Sequence, residues 1–435
     1  MARVEKLDQQ EIKTWYRAVL AIFFASGLLT SSLLARLPDV STGLNLSAGP
    51  MGMLLLGMTV GSFSSVTFSG YLVSKIGSRK TLILGYSLAC AGIALVGIAV
   101  SISSIPLAVL GLVLDGVGMA SSNVAANVQG VSAERALGRF VTPIMHGFFS
   151  IGTVIGAGLG TLDTRLGVSF MWHMIYFAVI IFATVLWALR GCHSENYGQD
   201  DTQALSQVGS YRVRDAWRDK HTIFIGIFVL GMALAEGSAN DWVALALTHD
   251  YGADKTVGSL GYTFFVIAMM TGRFMGTGLL NKFGRVKVLR VTCSMAIIGL
   301  AVFIFAPNVP LGFIGLFIWG LGASLGFPTG MSAASDDPMK AAIRVSVVST
   351  IGYAAFLGGP PALGLLGEHW GIRNALLAVL VFIVISLFLT RHLQPSSQRE
   401  ILSERTTNVS TYDPQTSMNP VITPETGALS QVDKK

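Results

Sequence analysis

PLAVLGLVLDGVG (106–118) and PLGFIGLFIWGLG (310–322) lie 204 residues apart and agree at six of thirteen positions. The identities are Pro106/Pro310, Leu107/Leu311, Gly111/Gly315, Leu112/Leu316, Gly116/Gly320 and Gly118/Gly322. The same shift pairs Gly27 with Gly231 and Gly167 with Gly371, and a shift of 207 pairs GYLVSKIGSRK (70–80) with TGLLNKFGRVK (277–287). Chance could align one such glycine-rich pair, but not four in register. The chain is read as an internal repeat.

Both repeated stretches are almost wholly apolar, and the rest of the chain follows them. Of 435 residues, 52% are hydrophobic and 12% charged, against about 25% charged in soluble domains. Mean hydropathy is +0.61, too high for three water-coated domains. A helix crosses the hydrocarbon core with about 20 apolar residues. Twelve stretches qualify: 16–37, 50–74, 81–101, 106–130, 143–163, 168–190, 221–248, 256–281, 287–306, 310–333, 342–366 and 373–391. They are too long for barrel strands of about ten residues. The first is too long for a signal-peptide core and has no small-residue cleavage site after it. The expected fold is an all-α integral membrane protein with 12 transmembrane helices in two pseudo-symmetric six-helix halves. The halves are 1–190 and 221–391, joined by a polar cytoplasmic linker (191–220) and followed by a Ser/Thr/Gln/Pro-rich tail (392–435) expected to be disordered.

Orientation follows from Lys and Arg, which concentrate on the cytoplasmic side. With both termini inside, 25 of the 30 basic residues fall in cytoplasmic segments or within about one turn of a span's cytoplasmic end. Arg36, Arg165, Lys255 and Arg373 fall outside, and Arg273 falls within a span. The net charge of +6 is therefore a product of topology and no argument for nucleic acid. Cys90, Cys192 and Cys293 stand singly, without disulfide, metal or redox spacing. A bacterial chain of this kind is expected in the inner membrane, and as a monomer.

Here the residues resemble a family. Gly70, Leu72, Lys75, Gly77, Arg79 and Lys80 fit the G-x-L-x-D-R-x-G-R-K signature between helices 2 and 3 of the major facilitator superfamily, with Ser74 in place of the acid. ARLPDV (35–40), NVAANVQGVSAERALGR (123–139), HGFFSIG (146–152), AEGSANDW (235–242) and GYAAFLGGPPALG (352–364) resemble its fucose-permease-like, rhizopine-permease-like branch. The resemblance covers all twelve spans and omits linker and tail. It implies alternating access, a sugar-like, inositol-like or related metabolite as substrate, and a gating role for the 70–80 loop. The carboxylate that relatives carry further along helix 4 is replaced here by Ser121, Ser122 and Asn123, so their coupling role does not transfer to Asp115.

No energy-converting motif is visible. GSRKT (77–81) and GADKT (252–256) lack P-loop glycine spacing. Gly152, Gly156 and Gly160, at intervals of four inside a span, read as a packing face rather than a dinucleotide fingerprint. No cofactor or metal is expected, and no paired carboxylates or nucleophile–base pair suggests an enzyme. Transport is expected to run on an ion or solute gradient.

Ionisable groups inside spans are the functional candidates, because an unpaired one costs about 3 kcal/mol at a helix centre. Asp115 reads either as a helix-packing acid or as a proton carrier. Glu236 and Asp241 bracket Gly-Ser-Ala-Asn, which holds a helix poorly, and Trp242 follows. A broken span would free backbone and polar groups for substrate; the alternative is a simple kink. A spacing of five sets the two acids about 140° apart on a continuous helix. Glu236, the deeper, is the first choice for proton coupling, ahead of Asp115 and Asp241. Arg273 either snorkels or neutralises an acid in the cavity. His146 is a packing residue or a proton carrier, and His173, beside Trp172, is expected at the interface. Asn123, Asn127, Asn240 and Tyr353 are neutral groups suited to hydroxyls or to helix–helix bonds. The expected substrate site is thus Asn123, Asn127, His146, Glu236, Asn240, Trp242, Arg273 and Tyr353.

Two gates are expected. At the inner mouth Glu134, Arg135 and Arg139 should face Asp336, Asp337, Lys340 and Arg344 across the halves. At the outer mouth Arg36 either pairs with Asp241 or faces water beside Asp39. The expected function is a secondary transporter of a small polar organic solute, coupled to protons. A drug or metabolite exporter of the same fold is the alternative within the class. A non-transporting membrane sensor or scaffold is the alternative outside it; the ionisable groups kept inside spans favour transport.

Overall fold

Inside hydrocarbon every backbone N–H and C=O needs a partner within the protein, so a spanning chain either coils into helices or closes a barrel. This chain coils. The computed structural model describes residues 7–138, 141–193, 213–337 and 340–394, which hold no strand. The helices are α1 (Gln9–Ala35), α2 (Leu37–Gly43), α3 (Ala48–Ile76), α4 (Ser78–Ser101), α5 (Ile105–Leu137), α6 (Thr142–Arg165), α7 (Phe170–Leu189) and α8 (Val213–Arg218). They continue as α9 (Lys220–His249), α10 (Lys255–Phe283), α11 (Arg285–Phe305), α12 (Val309–Ala323), α13 (Gly326–Ala334), α14 (Ala341–Trp370), α15 (Ile372–Ala375) and α16 (Leu377–Leu389). A 3-10 turn (Thr390–Leu393) closes the last helix.

Every expected stretch falls on helix. Among the described residues nine helical segments are long and apolar enough to cross a membrane alone, or ten if the bent α2–α3 pair is one span. The segments below that mark, α3, α10 and α14, are rich in Gly, Ser and Thr. Their composition follows from position: α3 packs on α14, and α10 packs on α6. These helices join the first seven to the last eight and give up lipid-facing surface to do so. α1 and α9 are the most buried, with 83% and 72% of their apolar windows inside. Most of the linker and all of the tail beyond Gln394 lie outside the described residues.

The expected break in the seventh span is absent, since α9 runs unbroken through Gly237-Ser238-Ala239-Asn240. Ser238 Oγ donates back to Leu234 O at 2.5 Å, and Gly237 is covered by the Phe356 ring. Packing on every side outweighs the weak helix propensity of four residues. An interruption falls instead at Ser324-Leu325, between α12 and α13. Pro328 has no N–H for the Ser324 carbonyl and its ring crowds that turn.

Repeated glycines make equivalent contacts. Gly111 abuts Gly92 and Val96 of α4, and Gly315 abuts Gly299 and Phe303 of α11. Gly118 meets Gly85 and Ala89, while Gly322 meets Thr292 and Ala296. Gly116 meets Met58 of α3, and Gly320 meets Phe265 of α10. Helices without a hydrophobic drive between them associate by such close backbone approach. Gly152, Gly156 and Gly160 do form a packing face: a Cβ on each would strike Phe24, Leu28 and Ala35 of α1.

Gly156 and Gly158 test this seam, because nothing lies near the second. Gly156→Leu should cost about 1–3 kcal/mol through overpacking, read as a lowered melting temperature in detergent. Gly158→Leu should be close to neutral. Equal losses would contradict the seam.

Candidate functional site

α9 and α10 lie side by side and bring two charges together. Arg273 Nη2 donates to Glu236 Oε1 at 2.9 Å, and the side chains remain 30% and 20% exposed. Of the two readings of Arg273, the structure takes neutralisation of an acid. His146 on α6 is exposed, lies within electrostatic reach of Arg273, and meets Phe23 edge-on at 5.2 Å. Its neighbour Gly147 faces Phe274 of α10. A carboxylate, a guanidinium and an imidazole from both parts of the molecule therefore share one region, reachable by solvent.

Neutral groups stand on other walls. Asn127 Nδ2 donates to Asn123 Oδ1 and to the Asn123 carbonyl, both at 2.8 Å, along an exposed strip of α5. Tyr353 on α14 is 40% exposed, one turn from Phe356, which covers Gly237. Asn240 is half-buried. No hydrogen bond or ion pair among the described residues joins these four to the Glu236–Arg273 pair.

Three expected residues sit elsewhere. Trp242 is fully buried, its Nε1 without a partner among the described residues, and acts as core rather than cavity wall. Asp241 is buried near Tyr262 of α10. Asp115 is buried in the α4–α5 seam against Gly92, within reach of Cys90, and its Oδ1 finds no partner among the described residues. Its packing reading fits this position, away from Glu236.

α1 begins and α16 ends at one face, the terminal face; the opposite, distal face is tied shut across the molecule. Asp39 accepts from Arg36 Nε at 2.9 Å and from Lys255 Nζ at 3.2 Å. Arg36 Nη2 donates to Val168 O at 3.0 Å, and its guanidinium lies over the Phe170 ring. Arg36 is thus buried with Asp39, and an Arg36–Asp241 pair is not formed. Ser259 Oγ donates to Ala35 O at 2.6 Å, Thr161 meets Thr263 at 3.0 Å, and Ser41 meets His249 at 3.1 Å. The N-terminus of α3 has no cap from its own Ser47. Glu368 of α14 accepts from Gly49 N there at 2.8 Å, a carboxylate at the positive end of a helix. Sequence reasoning missed Lys255 and Glu368, because each partner lies over 200 positions away.

His173 is also a correction. It is fully buried beneath exposed Trp172, with Nδ1 2.6 Å from Asp163 Oδ2. Asp163 closes the expected fifth span and drew no attention there.

At the terminal face Lys75, Arg79 and Lys80 are exposed, as is Gly70. Gly77 ends α3 and starts α4 at φ 84°, as Gly284 does between α10 and α11 at φ 80°. That conformation is costly for any residue with a Cβ. Two equivalent nodes sit beside these glycines. Gln129 donates to Ser78 Oγ at 2.8 Å and to His193 O at 2.9 Å. Arg285 donates to both Asp336 oxygens, at 2.6 and 3.0 Å, and to Leu393 O at 3.2 Å. Glu134 accepts from Val141 N, Asp337 pairs with Lys340, and Arg344 pairs with Asp219 at 2.7 Å. Arg135 is exposed, and Arg139 lies outside the described residues. Each of these pairings runs within one part of the molecule; the contacts expected across the inner mouth belong to the state closed at that face.

Asp219 caps α9. Burial raises its carboxyl, but bonds from Thr222 Oγ1, His221 N–H and Arg344 outweigh that and hold it below the ordinary value. A depressed folded-state value contributes stability above about pH 4 and loses it as pH falls further. Asp219→Asn should therefore lower the melting temperature at pH 7, by a margin that shrinks as pH falls below about 4. A margin that did not shrink on acidification would contradict the pairing.

Comparison with known proteins agrees with this architecture. The sequence profile of the Major Facilitator Superfamily matches residues 19–337 and 223–423. An uncharacterised MFS-type transporter of Yersinia pestis is 30% identical over 351 residues, covering 80% of this chain and 87% of that protein. Membrane protein MosC of Rhizobium meliloti is 26% identical over 381 residues, covering 86% and 90%. Among solved structures, the nucleoside transporter NupG superposes with TM-score 0.67 at 15% identity, covering 87% of this chain and 98% of that one. FucP in its outward conformation gives 0.60 at 18% identity, covering 88% and 100%. The profile spans most of a chain whose paired glycine seams already repeat from one part to the other. The chain belongs to the Major Facilitator Superfamily, as a multi-pass membrane transporter rather than an enzyme.

Proposed function

We propose that the chain is a proton-coupled secondary transporter of a small polar organic solute, sugar-like or a related metabolite, working by alternating access. The halves 1–190 and 221–391 rock about a central cavity. Both termini lie in the cytoplasm of a cell whose plasma membrane, the inner membrane in a bacterium, holds the protein as a monomer. The observation that carries this reading is the part-exposed Glu236–Arg273 pair with His146 opposite. A charge pair at mid-helix inside a membrane is costly to keep unless it is used. Asn123, Asn127, Asn240 and Tyr353 supply hydrogen-bonding groups of the kind that hydroxyls need.

The conformation fits one stage of that cycle. Hydrogen bonds and the Asp39–Lys255 ion pair join the halves at the distal face. With the positive-inside orientation, this is an inward-facing protein. Protonating Glu236 would release Arg273 for a substrate oxygen, and deprotonation would restore the pair. That exchange ties proton movement to substrate binding without any other cofactor.

Reconstituted liposomes test this. A panel of sugars and cyclic polyols is offered under an imposed pH gradient. The wild-type protein should accumulate at least one of them. Glu236→Gln should retain binding and exchange but lose uphill accumulation. Accumulation by that variant at the wild-type level would remove Glu236 from coupling.

A further inference from the structure

Behind the distal gate lies a polar cluster that the central cavity does not use. His173 is 0% exposed and stacks on Phe177 with ring centroids 4.4 Å apart. Its Nδ1 is 2.6 Å from Asp163 Oδ2, and the Tyr176 hydroxyl donates to the same carboxylate. With Nδ1–H given to Asp163, Nε2 is the free nitrogen, and it has no hydrogen-bond partner among the described residues. Val168 N donates to the Asp163 carbonyl at 2.9 Å, and Val168 O receives Arg36. The cluster is therefore one short connector away from the Arg36–Asp39–Lys255 contact that closes this face.

We propose that Asp163, His173 and Tyr176 form a proton-binding site, separate from Glu236, that couples protonation to release of the distal gate. The proton comes from water at that face and bonds to His173 Nε2. Nδ1–H stays on Asp163, so the product is an imidazolium–carboxylate pair. In the closed state this step would bury an N–H with no acceptor. It would also add a positive charge near Arg36. A conformer in which water reaches Nε2 binds the proton more tightly, and by reciprocity the proton favours that conformer. Lower pH at the distal face should thus open the gate.

Charged and titratable groups face the ring from several packed elements. α6 brings Asp163, α7 brings Tyr176, the α1–α2 junction brings Arg36, α2 brings Asp39, and α10 brings Lys255 through Asp39. α4 packs on α7 where Gly97 meets Met171 and Met174, and it has no ionisable residue from Gly92 to Ser101. Arg36 and Asp39 both lie within electrostatic reach of the ring.

The inference rests on alternating access but not on Glu236 as the coupling acid. Spin labels on Leu166→Cys and Trp370→Cys, both exposed at the distal face, report its opening in nanodiscs. The three native cysteines are buried. Between about pH 8 and about pH 5.5, which brackets an ordinary histidine, the open population should rise several-fold. His173→Gln should abolish that response while leaving the melting temperature within a few degrees. Asp163→Asn should also abolish it, which serves if the first variant does not fold. In a Glu236→Gln background the response should persist. A wild-type protein without a pH response, or a His173→Gln protein that keeps it, overturns the proposal. Loss of the response in Glu236→Gln alone also overturns it and assigns the effect to the cavity.

Discussion

Hydrocarbon offers no partner to a backbone amide and no drive to press one apolar helix on another. The first condition makes the chain helical wherever it crosses. The second leaves association to close packing and to polar contacts between helices. Both are visible in the α4–α5 and α11–α12 seams, where glycine on one helix meets glycine or backbone on the next. A repeat that keeps these glycines keeps the bundle. The same economy governs the α3–α14 contact, where Gly52 meets Gly364 beside Pro360.

Polar side chains then become informative, because few have a structural reason to be inside. At the terminal face two equivalent nodes stand out, one neutral around Gln129 and one ionic around Arg285 and Asp336. Those at the distal face bridge the two parts of the molecule. Between the faces stand Glu236, Arg273 and His146. Contacts that must break and reform during rocking are better made of single hydrogen bonds and part-exposed ion pairs than of buried apolar area. Exposed pairs contribute about 0–1 kcal/mol each, small enough to let two conformers interconvert. The distal contacts have that character.

Much of this was legible in the chain. Helix positions followed from apolar runs, and the pairs Gly77/Gly284 and Gly167/Gly371 were aligned from sequence before all four proved to have positive φ. Glu236 was legible as the deep acid of its span. Its partner was not, since nothing in the order of residues says that Arg273, 37 positions on, meets it across two packed helices. The expected break in α9 came from local propensity, and tertiary packing by Phe356 overrode it. Trp242 was misread because a residue next to an acid need not share its face. Of the two readings of Arg36, the one beside Asp39 gives its partner, but the guanidinium is buried there rather than facing water.

The central claim is that the cavity reaches one face at a time and that the distal contacts decide which. Its most direct measurement is labelling of a single cysteine at Tyr353 by a membrane-impermeant maleimide, in oriented vesicles and from each face in turn. The account predicts fast labelling from the terminal face and slow labelling from the distal face. It also predicts that replacing Asp39 by Asn raises the distal rate at the expense of the terminal one. Equal rates from both faces, or a distal rate indifferent to Asp39, would contradict it.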